Sequence, residues 1–285
     1  MKDIFDFGKK IDDYAVMGNP ISHSKSPSIH SLFAEQTQQS ILYTAIHVDI
    51  EGFKQAVGNF AASGGKGLNI TVPFKQEAWD LVTKRSERAE RAGAVNTIKI
   101  EDDQLYGDNT DGVGLVNDLT INHSIELKEK NILLMGAGGA ARGVLIPLLK
   151  QNPATLFIAN RTPDRAKDLA TDFKDVGNIN GGGYDAITDL KFDVVINATA
   201  ASLQGDLPPL PNTLLNDNAS CYDMMYAAKP TPFMIWASEH NATNVLDGLG
   251  MLVEQAAESF YIWRGVKPET KAVIEKLRKE LQIEK

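Results

Sequence analysis

The sequence is short of cysteine, of basic charge and of long apolar runs. Cys221 is the one cysteine among 285 residues. A single thiol excludes an internal disulfide and a cysteine-based zinc site, and it fits a reducing cytoplasmic compartment. The five histidines, His23, His30, His47, His123 and His240, have no metal-site spacing, so no metal is expected. Asp and Glu (37) outnumber Lys and Arg (29), a net charge of −8. An acidic chain without a basic stretch is a poor candidate for nucleic-acid binding, so an anionic ligand must be met by a local cluster of donors. No apolar run approaches the roughly 20 residues of a membrane-spanning helix. The first ten residues carry three Lys and two Asp with no apolar segment, unlike a secretory signal. What the chain does have is 43% hydrophobic residues, enough for a sizeable core. Its length suggests two domains, or one large one.

Strand-like and helix-like segments alternate. Tyr14–Gly18, Leu42–Asp49 and Lys66–Val72 read as strands, and Pro27–Thr37, Gly52–Ala62 and Phe74–Thr83 as helices. Val95–Glu101 and Gln104–Tyr106 read as a short hairpin. A second run pairs strands Asn131–Met135, Thr155–Ala159, Asp193–Asn197 and Ser220–Asp223 with helices Gly139–Lys150 and Pro163–Phe173. Pro147 should kink the first of these helices. Gly250–Gly265 and Glu269–Leu281 are C-terminal helices, Gly181-Gly182-Gly183 reads as a flexible loop and Pro208-Pro209-Leu210-Pro211 as a stiff one. This order favours α/β architecture with mostly parallel sheets and a boundary near Asp111–Lys130.

The sharpest motif follows strand Asn131–Met135. Gly136-Ala137-Gly138-Gly139-Ala140 opens a helix, and small residues there let backbone amides approach a pyrophosphate. A plain tight turn is the bland alternative. At the end of the next strand an NAD site usually carries an acidic residue; here Asn160-Arg161-Thr162 stands, with Arg165 four residues beyond Arg161. Two guanidinium forks suit a 2′-phosphate, which points to NADP, though a surface arginine at a helix start is the simpler account of Arg165.

Polar residues also crowd the ends of the early strands. Ser24 and Ser26 precede a helix, where two hydroxyls beside terminal amides can hold a carboxylate or simply cap. Asn69 and Thr71 share a strand face by period two, and Lys75 opens the next helix on the same rim, unless it is an ordinary surface lysine. Asn96 sits in Gly93–Thr97. Asp108 and Asp111 lie at the proposed junction, as carboxylates for chemistry or as caps. Gln255 interrupts an apolar helix, either satisfied locally or facing a ligand.

Together these segments resemble the shikimate dehydrogenase family, from Tyr14 to roughly Leu281. The matching stretches are GNPISHSKSP (18–27), GLNITVPFK (67–75), GAVNT (93–97), GDNTDGVG (107–114), GAGGAARG (136–143), NRT (160–162), YDMMY (222–226) and GLGMLVEQAAESF (248–260). The resemblance implies two α/β domains flanking a cleft, the second a Rossmann-type dinucleotide-binding domain. Residues 1–110 would form the substrate domain and 111–247 the NADP domain, with helices in 248–285 returning to the first. It implies reversible NADPH-dependent reduction of 3-dehydroshikimate to shikimate in aromatic amino-acid biosynthesis, by a cytoplasmic monomer or homodimer.

By the same resemblance Ser24 and Ser26, with Tyr226, hold the substrate carboxylate, and Asn69, Thr71, Lys75, Asn96, Asp111 and Gln255 surround the ring. Gly136, Ala137, Gly138, Gly139, Ala140, Asn160, Arg161, Thr162 and Arg165 hold NADP. Met224 and Gly248 lie by the nicotinamide, and Glu87 is near the cofactor. Lys75 and Asp111 form the catalytic dyad. Ala200-Ala201-Ser202 departs from the family, which usually has Ser or Thr and then Gly there. A broader quinate/shikimate dehydrogenase and a non-catalytic shikimate-binding regulator are the competing readings. If the two arginines read a 2′-phosphate, Arg161→Ala raises KM for NADPH at least about tenfold more than KM for NADH; equal rises for the two cofactors refute the assignment.

Overall fold

A computed structural model describes residues 11–102, 104–199, 201 and 205–283. The chain divides into two compact units: one runs up to Thr110 and includes Ala256–Thr270, the other comprises Asp111–Gln255 and the segment from Lys271 onward. Each unit contains one six-stranded sheet among the described residues.

In the first unit the order is β1 (Asp12–Gly18), α1 (Ser26–Thr37), β2 (Ile41–His47), α2 (Phe53–Ala62), β3 (Gly67–Ile70), α3 (Lys75–Leu81), β4 (Lys84–Arg85), α4 (Glu87–Ala92), β5 (Thr97–Glu101) and β6 (Gln104–Asp108). The sheet runs β2-β1-β3-β5-β6-β4. β1 pairs in parallel with β2 and β3, whereas β5 and β6 form the expected antiparallel hairpin. Period-two alternation splits the core. Ala15, Met17, Leu68 and Ile70 pack on one face with Phe53 and Phe74, while Tyr14, Val16 and Tyr43 meet Trp263 on the other.

Asp108 at the end of β6 is buried and is a structural anchor. Its carboxylate receives both nitrogens of an Arg88 fork at 2.6 and 2.9 Å, the Ser86 hydroxyl and the Asn109 amide. Arg88 also reaches Glu258 at 2.9 Å. Burial works against the Arg88 charge, but these two carboxylates outweigh it and hold its pKa above the ordinary value.

The chain continues with α5 (Asp111–Asn117), β7 (Asn131–Met135), α6 (Gly139–Leu149), β8 (Thr155–Ala159), α7 (Pro163–Asp172), β9 (Ile179–Gly182), β10 (Phe192–Asn197), β11 (Leu215–Asp223), α8 (Pro232–Glu239), β12 (Asn244–Asp247), α9 (Leu249–Arg264) and α10 (Lys271–Ile283), all in the second unit except α9 from Ala256 on, which belongs to the first. The sheet of the second unit runs β12-β11-β10-β7-β8-β9 with every pairing parallel. Counted within the unit this is strand order 3-2-1-4-5-6 read from the β9 edge, the doubly wound dinucleotide topology, with its switch point between β7 and β10. The continuous apolar run Ile132–Met135 fits a central strand covered on both faces. Ile132 and Leu134 pack with Val144 and Leu145 of α6, and Leu133 and Met135 with Phe233 and Trp236 of α8.

Two expectations need correction, and two elements are new. Ile179–Gly182 is an edge strand, so the glycine run is not simply a flexible loop; a Cβ at Gly181 would overlap the Ala166 carbonyl of α7. As expected, α6 holds Pro147 inside it, two residues before its end. α8 and β12 are elements that periodicity did not reveal, although Thr231, which caps α8 through the Met234 amide, and Pro232 after it are a readable start signal. Finally, the segment 248–285 does not go to the first unit as a whole. Only Ala256–Thr270 does. α10 buries Val273, Leu277 and Leu281 on one stripe, and Arg278 grips Asp247 with both terminal nitrogens at 2.5 Å, within the second unit. Ala200 and Ser202, in the stretch that departs from the family, lie outside the described residues.

Removing the Arg88 fork strands a buried carboxylate. Arg88→Met is therefore expected to lower the unfolding free energy by about 3 kcal/mol in urea denaturation. A loss below about 1 kcal/mol would mean that Ser86 and Asn109 suffice for Asp108.

Candidate active site

In the first unit the candidate residues follow the ends of β1 and β3. Two backbone bonds join these ends: the Thr71 amide donates to Met17 at 3.0 Å and the Asn19 amide to Val72 at 3.0 Å. A third, from the Val95 amide to the Lys75 carbonyl at 2.8 Å, draws the Gly93–Thr97 turn to the start of α3. The chain thereby gathers Thr71, Lys75 and Asn96. Lys75 is half-buried at the head of α3. Ser24 and Ser26 sit where α1 begins, and the Ser26 amide donates to the Ser24 hydroxyl at 3.3 Å.

Asn69 behaves differently from its neighbours. It is buried, and both ends of its amide are engaged inside the protein. Its nitrogen donates to the Asn96 carbonyl (3.3 Å), the Thr97 hydroxyl (3.3 Å) and the Ser259 hydroxyl (3.0 Å). Its oxygen accepts from Tyr43 (2.7 Å) and from His30 Nε2 (3.1 Å). The Asn96 carbonyl can only accept, which fixes which end of the amide is which. The Asn96 side chain lies in the same network, accepting from the Thr110 amide at 2.9 Å.

Sequence reasoning missed His30 and Tyr43. Only the fold stacks their rings, 4.2 Å apart and nearly parallel. His30 is fully buried, and burial drives its pKa down to about 3, partly offset by the Asn69 bond. Because the Asn69 oxygen can only accept, the proton sits on Nε2, and Nδ1 is left without a partner.

In the second unit Gly136 turns the chain out of β7 at φ +105°, and a Cβ there would stand 3.2 Å from Thr199 and 3.3 Å from the Ala198 carbonyl. Beside Gly138 and Gly139 the space is open, and no side chain caps the start of α6. Its first amides are thus placed for an anion. At the end of β8 the Asn160 side chain donates to the Thr162 carbonyl at 3.0 Å. A cavity of about 770 Å³ opens there, lined by Asn160, Arg161, Tyr184, Thr199, Asp206 and Pro209 among others. Arg161 thus faces a cavity, while Arg165 is exposed on the first turn of α7.

Met224 and Gly248 come together as well: the Gly248 amide donates to Met225 at 3.0 Å, and a Cβ on Gly248 would overlap the Met224 carbonyl. Buried Asp223 locks this corner, accepting from Asn197 (3.2 Å), the Met225 amide (3.0 Å) and Thr231 (2.6 Å). Tyr226 follows it, half-buried. Asp111 is the first residue of α5, and Gln255 on α9 donates to the Leu252 carbonyl at 2.9 Å. Glu87 is exposed on the first turn of α4, in the first unit and not in that of the glycine turn. Burial pushes the Cys221 thiol up to about 12, so it is no nucleophile. Among the described residues no group of His, Cys, Asp and Glu could hold a metal, and no helix is long and apolar enough to cross a membrane.

Three family descriptions match the chain: "Shikimate dehydrogenase substrate binding domain" over residues 16–98, "Shikimate / quinate 5-dehydrogenase" over 119–204 and "Shikimate 5'-dehydrogenase C-terminal domain" over 248–278. A relative from Alkalilimnicola ehrlichii named shikimate dehydrogenase (NADP(+)) is 60% identical over 269 residues, covering 94% of this chain and 99% of its own. The chain belongs to the shikimate dehydrogenase family. Solved structures agree with that membership. An Ael1 enzyme from Pseudomonas putida is 46% identical with a TM-score of 0.89, covering 93% of this chain and 98% of its own. A shikimate 5-dehydrogenase from Thermus thermophilus, solved with NADP(H) and shikimate, is 30% identical with a TM-score of 0.84, covering 95% and 100%.

The buried histidine of this family member gives a pH signature. Folded His30 stays neutral down to about pH 3, while the unfolded side chain takes up a proton near 6.5. The unfolded state therefore binds the extra proton below pH 6.5, and stability present above that value is lost as pH falls towards 3. Between about pH 6 and 4, His30→Gln is expected to flatten the plot of unfolding free energy against pH by up to about 1.4 kcal/mol per unit. Identical slopes would mean that His30 charges freely in the folded protein.

Proposed function

We propose that this chain catalyses the reversible NADPH-dependent reduction of 3-dehydroshikimate to shikimate, a step of aromatic amino-acid biosynthesis. The observation that carries the reading is the joint presence of two sets of residues. One is a hydroxyl-, amide- and lysine-bearing edge in the first unit. The other, in a 3-2-1-4-5-6 sheet, is a glycine turn beside an arginine-lined cavity. A relative with 60% of the same residues bears the name of that activity.

The cofactor fits the residues present. A side chain at Gly136 would crowd Thr199, and the open space at Gly138 and Gly139 leaves room for a pyrophosphate against the amides of α6. Gly136 to Ala140 would hold the pyrophosphate, with Asn160, Arg161, Thr162 and Arg165 on the adenosine phosphate. When bound, NADPH supplies the hydride.

A ketone that accepts hydride develops negative charge on oxygen. In this reading the Lys75 ammonium stabilises that charge and delivers the proton, and in the reverse direction neutral Lys75 receives the hydroxyl proton. Asp111 supplies the carboxylate that orients Lys75 and a ring hydroxyl. Ser24, Ser26 and Tyr226 bind the carboxylate, and Thr71, Asn96 and Gln255 bind hydroxyls; Asn69 supports them from within the network. Met224 and Gly248 form a surface for the nicotinamide, and Glu87 is assigned near the cofactor. The proposed compartment is the cytoplasm, in keeping with a lone cysteine that remains a buried thiol, and the acting species is a monomer or homodimer.

The test is the absorbance of reduced cofactor with shikimate or quinate, each with NADP or NAD. Fast turnover with shikimate and NADP alone is expected. Comparable rates with quinate or NAD would make the protein a broader dehydrogenase, and shikimate binding without turnover would make it a regulator. Lys75→Ala is expected to lower kcat at least about a hundredfold with little change in NADPH affinity; retention of more than about a tenth of the wild-type rate, short of that span, defeats the acid/base role.

A further inference from the structure

The two threonines that hold the Asn96 side chain share a further partner. The Asn96 oxygen accepts from the Thr110 amide at 2.9 Å and from the Thr97 hydroxyl at 2.9 Å, and the Asn96 nitrogen donates to the Thr110 hydroxyl at 3.0 Å. Both threonine hydroxyls face the hydroxyl of Ser259, which lies 2.7 Å from Thr97 and 3.3 Å from Thr110. Ser259 stands on the second half of α9 and accepts from the Asn69 nitrogen at 3.0 Å. Thr97, Thr110 and Ser259 are fully buried, so bulk water does not stand in for a missing hydroxyl. Donor and acceptor chemistry gives these bonds a direction. The Asn96 oxygen can only accept, so Thr97 spends its one proton there. The 2.7 Å contact then takes its proton from Ser259, because two hydroxyls that meet lone pair to lone pair repel. The Asn69 nitrogen can only donate. The bonds therefore run one way, from the Asn69 amide through Ser259 and Thr97 to the Asn96 oxygen.

We propose that Ser259 is a positioning residue that acts through Thr97 to fix and polarise the Asn96 amide, and so sets affinity for the ring hydroxyl assigned to Asn96. The proposal rests on that reading of Asn96 as a substrate ligand. The Thr110 amide, which can only donate, decides which end of the Asn96 side chain is the oxygen; the bond from Thr97 then holds that oxygen in place. Hydrogen bonds aligned head to tail polarise one another, so each link that draws on the Asn96 oxygen makes the N–H groups of the same amide better donors. Ser259 is 162 positions from Thr97, and the helix that carries it is the one that also carries Gln255.

The test is a double-mutant cycle on Ser259→Ala and Asn96→Ala, read as KM and kcat for shikimate and as the calorimetric dissociation constants of shikimate, with NADP present, and of NADP alone. Ser259→Ala is expected to weaken shikimate about five- to tenfold, one hydrogen bond's worth, with kcat changed less than about twofold and NADP affinity unchanged. In the Asn96→Ala background the same change is expected to add less than about twofold, because the amide it positions is gone. Thr97→Val removes the middle link at nearly constant shape; it is expected to give the same selective loss, not additive with Ser259→Ala, and it carries the test alone if Ser259→Ala does not fold. An equal loss of shikimate affinity with and without Asn96, a matching loss of NADP affinity, or no loss in either single variant overturns the role of Ser259 and leaves the assigned reaction standing. A wild-type protein that neither binds nor turns over shikimate overturns the underlying reading, and the Ser259 role with it.

Discussion

The buried amide of Asn69 is the constraint around which the first unit is assembled. A primary amide taken out of water costs about 1–3 kcal/mol for each group left unpaired. Here both ends are paired, and the partners come from α1, β2, the β5 region and the second half of α9. Ser259 lies 190 positions away in the chain. The polar edge therefore forms only when the returning helix is in place, and the Asn96 side chain is held in the same network through Thr110.

The second unit solves the same problem with a charge. Asp223 ends β11 with a fully buried carboxylate, and its three donors tie together the end of β10, the Met224–Met225 turn and the cap of α8. Parallel strands leave their C-terminal ends without neighbouring hairpins, so some group must organise the loops that leave them. Gly136 and Asp223 do this at β7 and at β11. The protein's own hydrogen bonds thus organise the loops beside the switch point.

Polar residues in such a chain fall into two kinds that look alike in sequence. Asp108 and Asp111 stand three residues apart in one motif. The first is consumed by Arg88, Ser86 and Asn109 as a structural ion pair; the second opens α5 and is assigned a role in chemistry. Asn69 and Thr71 likewise share a strand face by periodicity, yet Asn69 is spent within the core whereas Thr71 is only half-buried. Spacing identifies the rim but does not say which members face outward, because that depends on partners contributed by remote segments.

The strands β7 and β8, the glycine turn, the arginine at the end of β8 and the first three βα pairs follow from local pattern: continuous apolar runs, period-two alternation and turn residues are properties of neighbours in the chain. Those features bring the family, the cofactor type and most of the candidate residues with them. Tertiary structure alone decided the rest. It made Ile179–Gly182 a strand by pairing it in parallel with β8, under an α7 too close for a side chain at Gly181, and placed α10 with the second unit through Arg278 and Asp247. It also joined His30, Tyr43 and Asn69 into one hydrogen-bonded group. Burial and partner choice are non-local: a histidine on an apolar helix face becomes a neutral donor only when the residues that exclude water from it arrive from the other end of the chain.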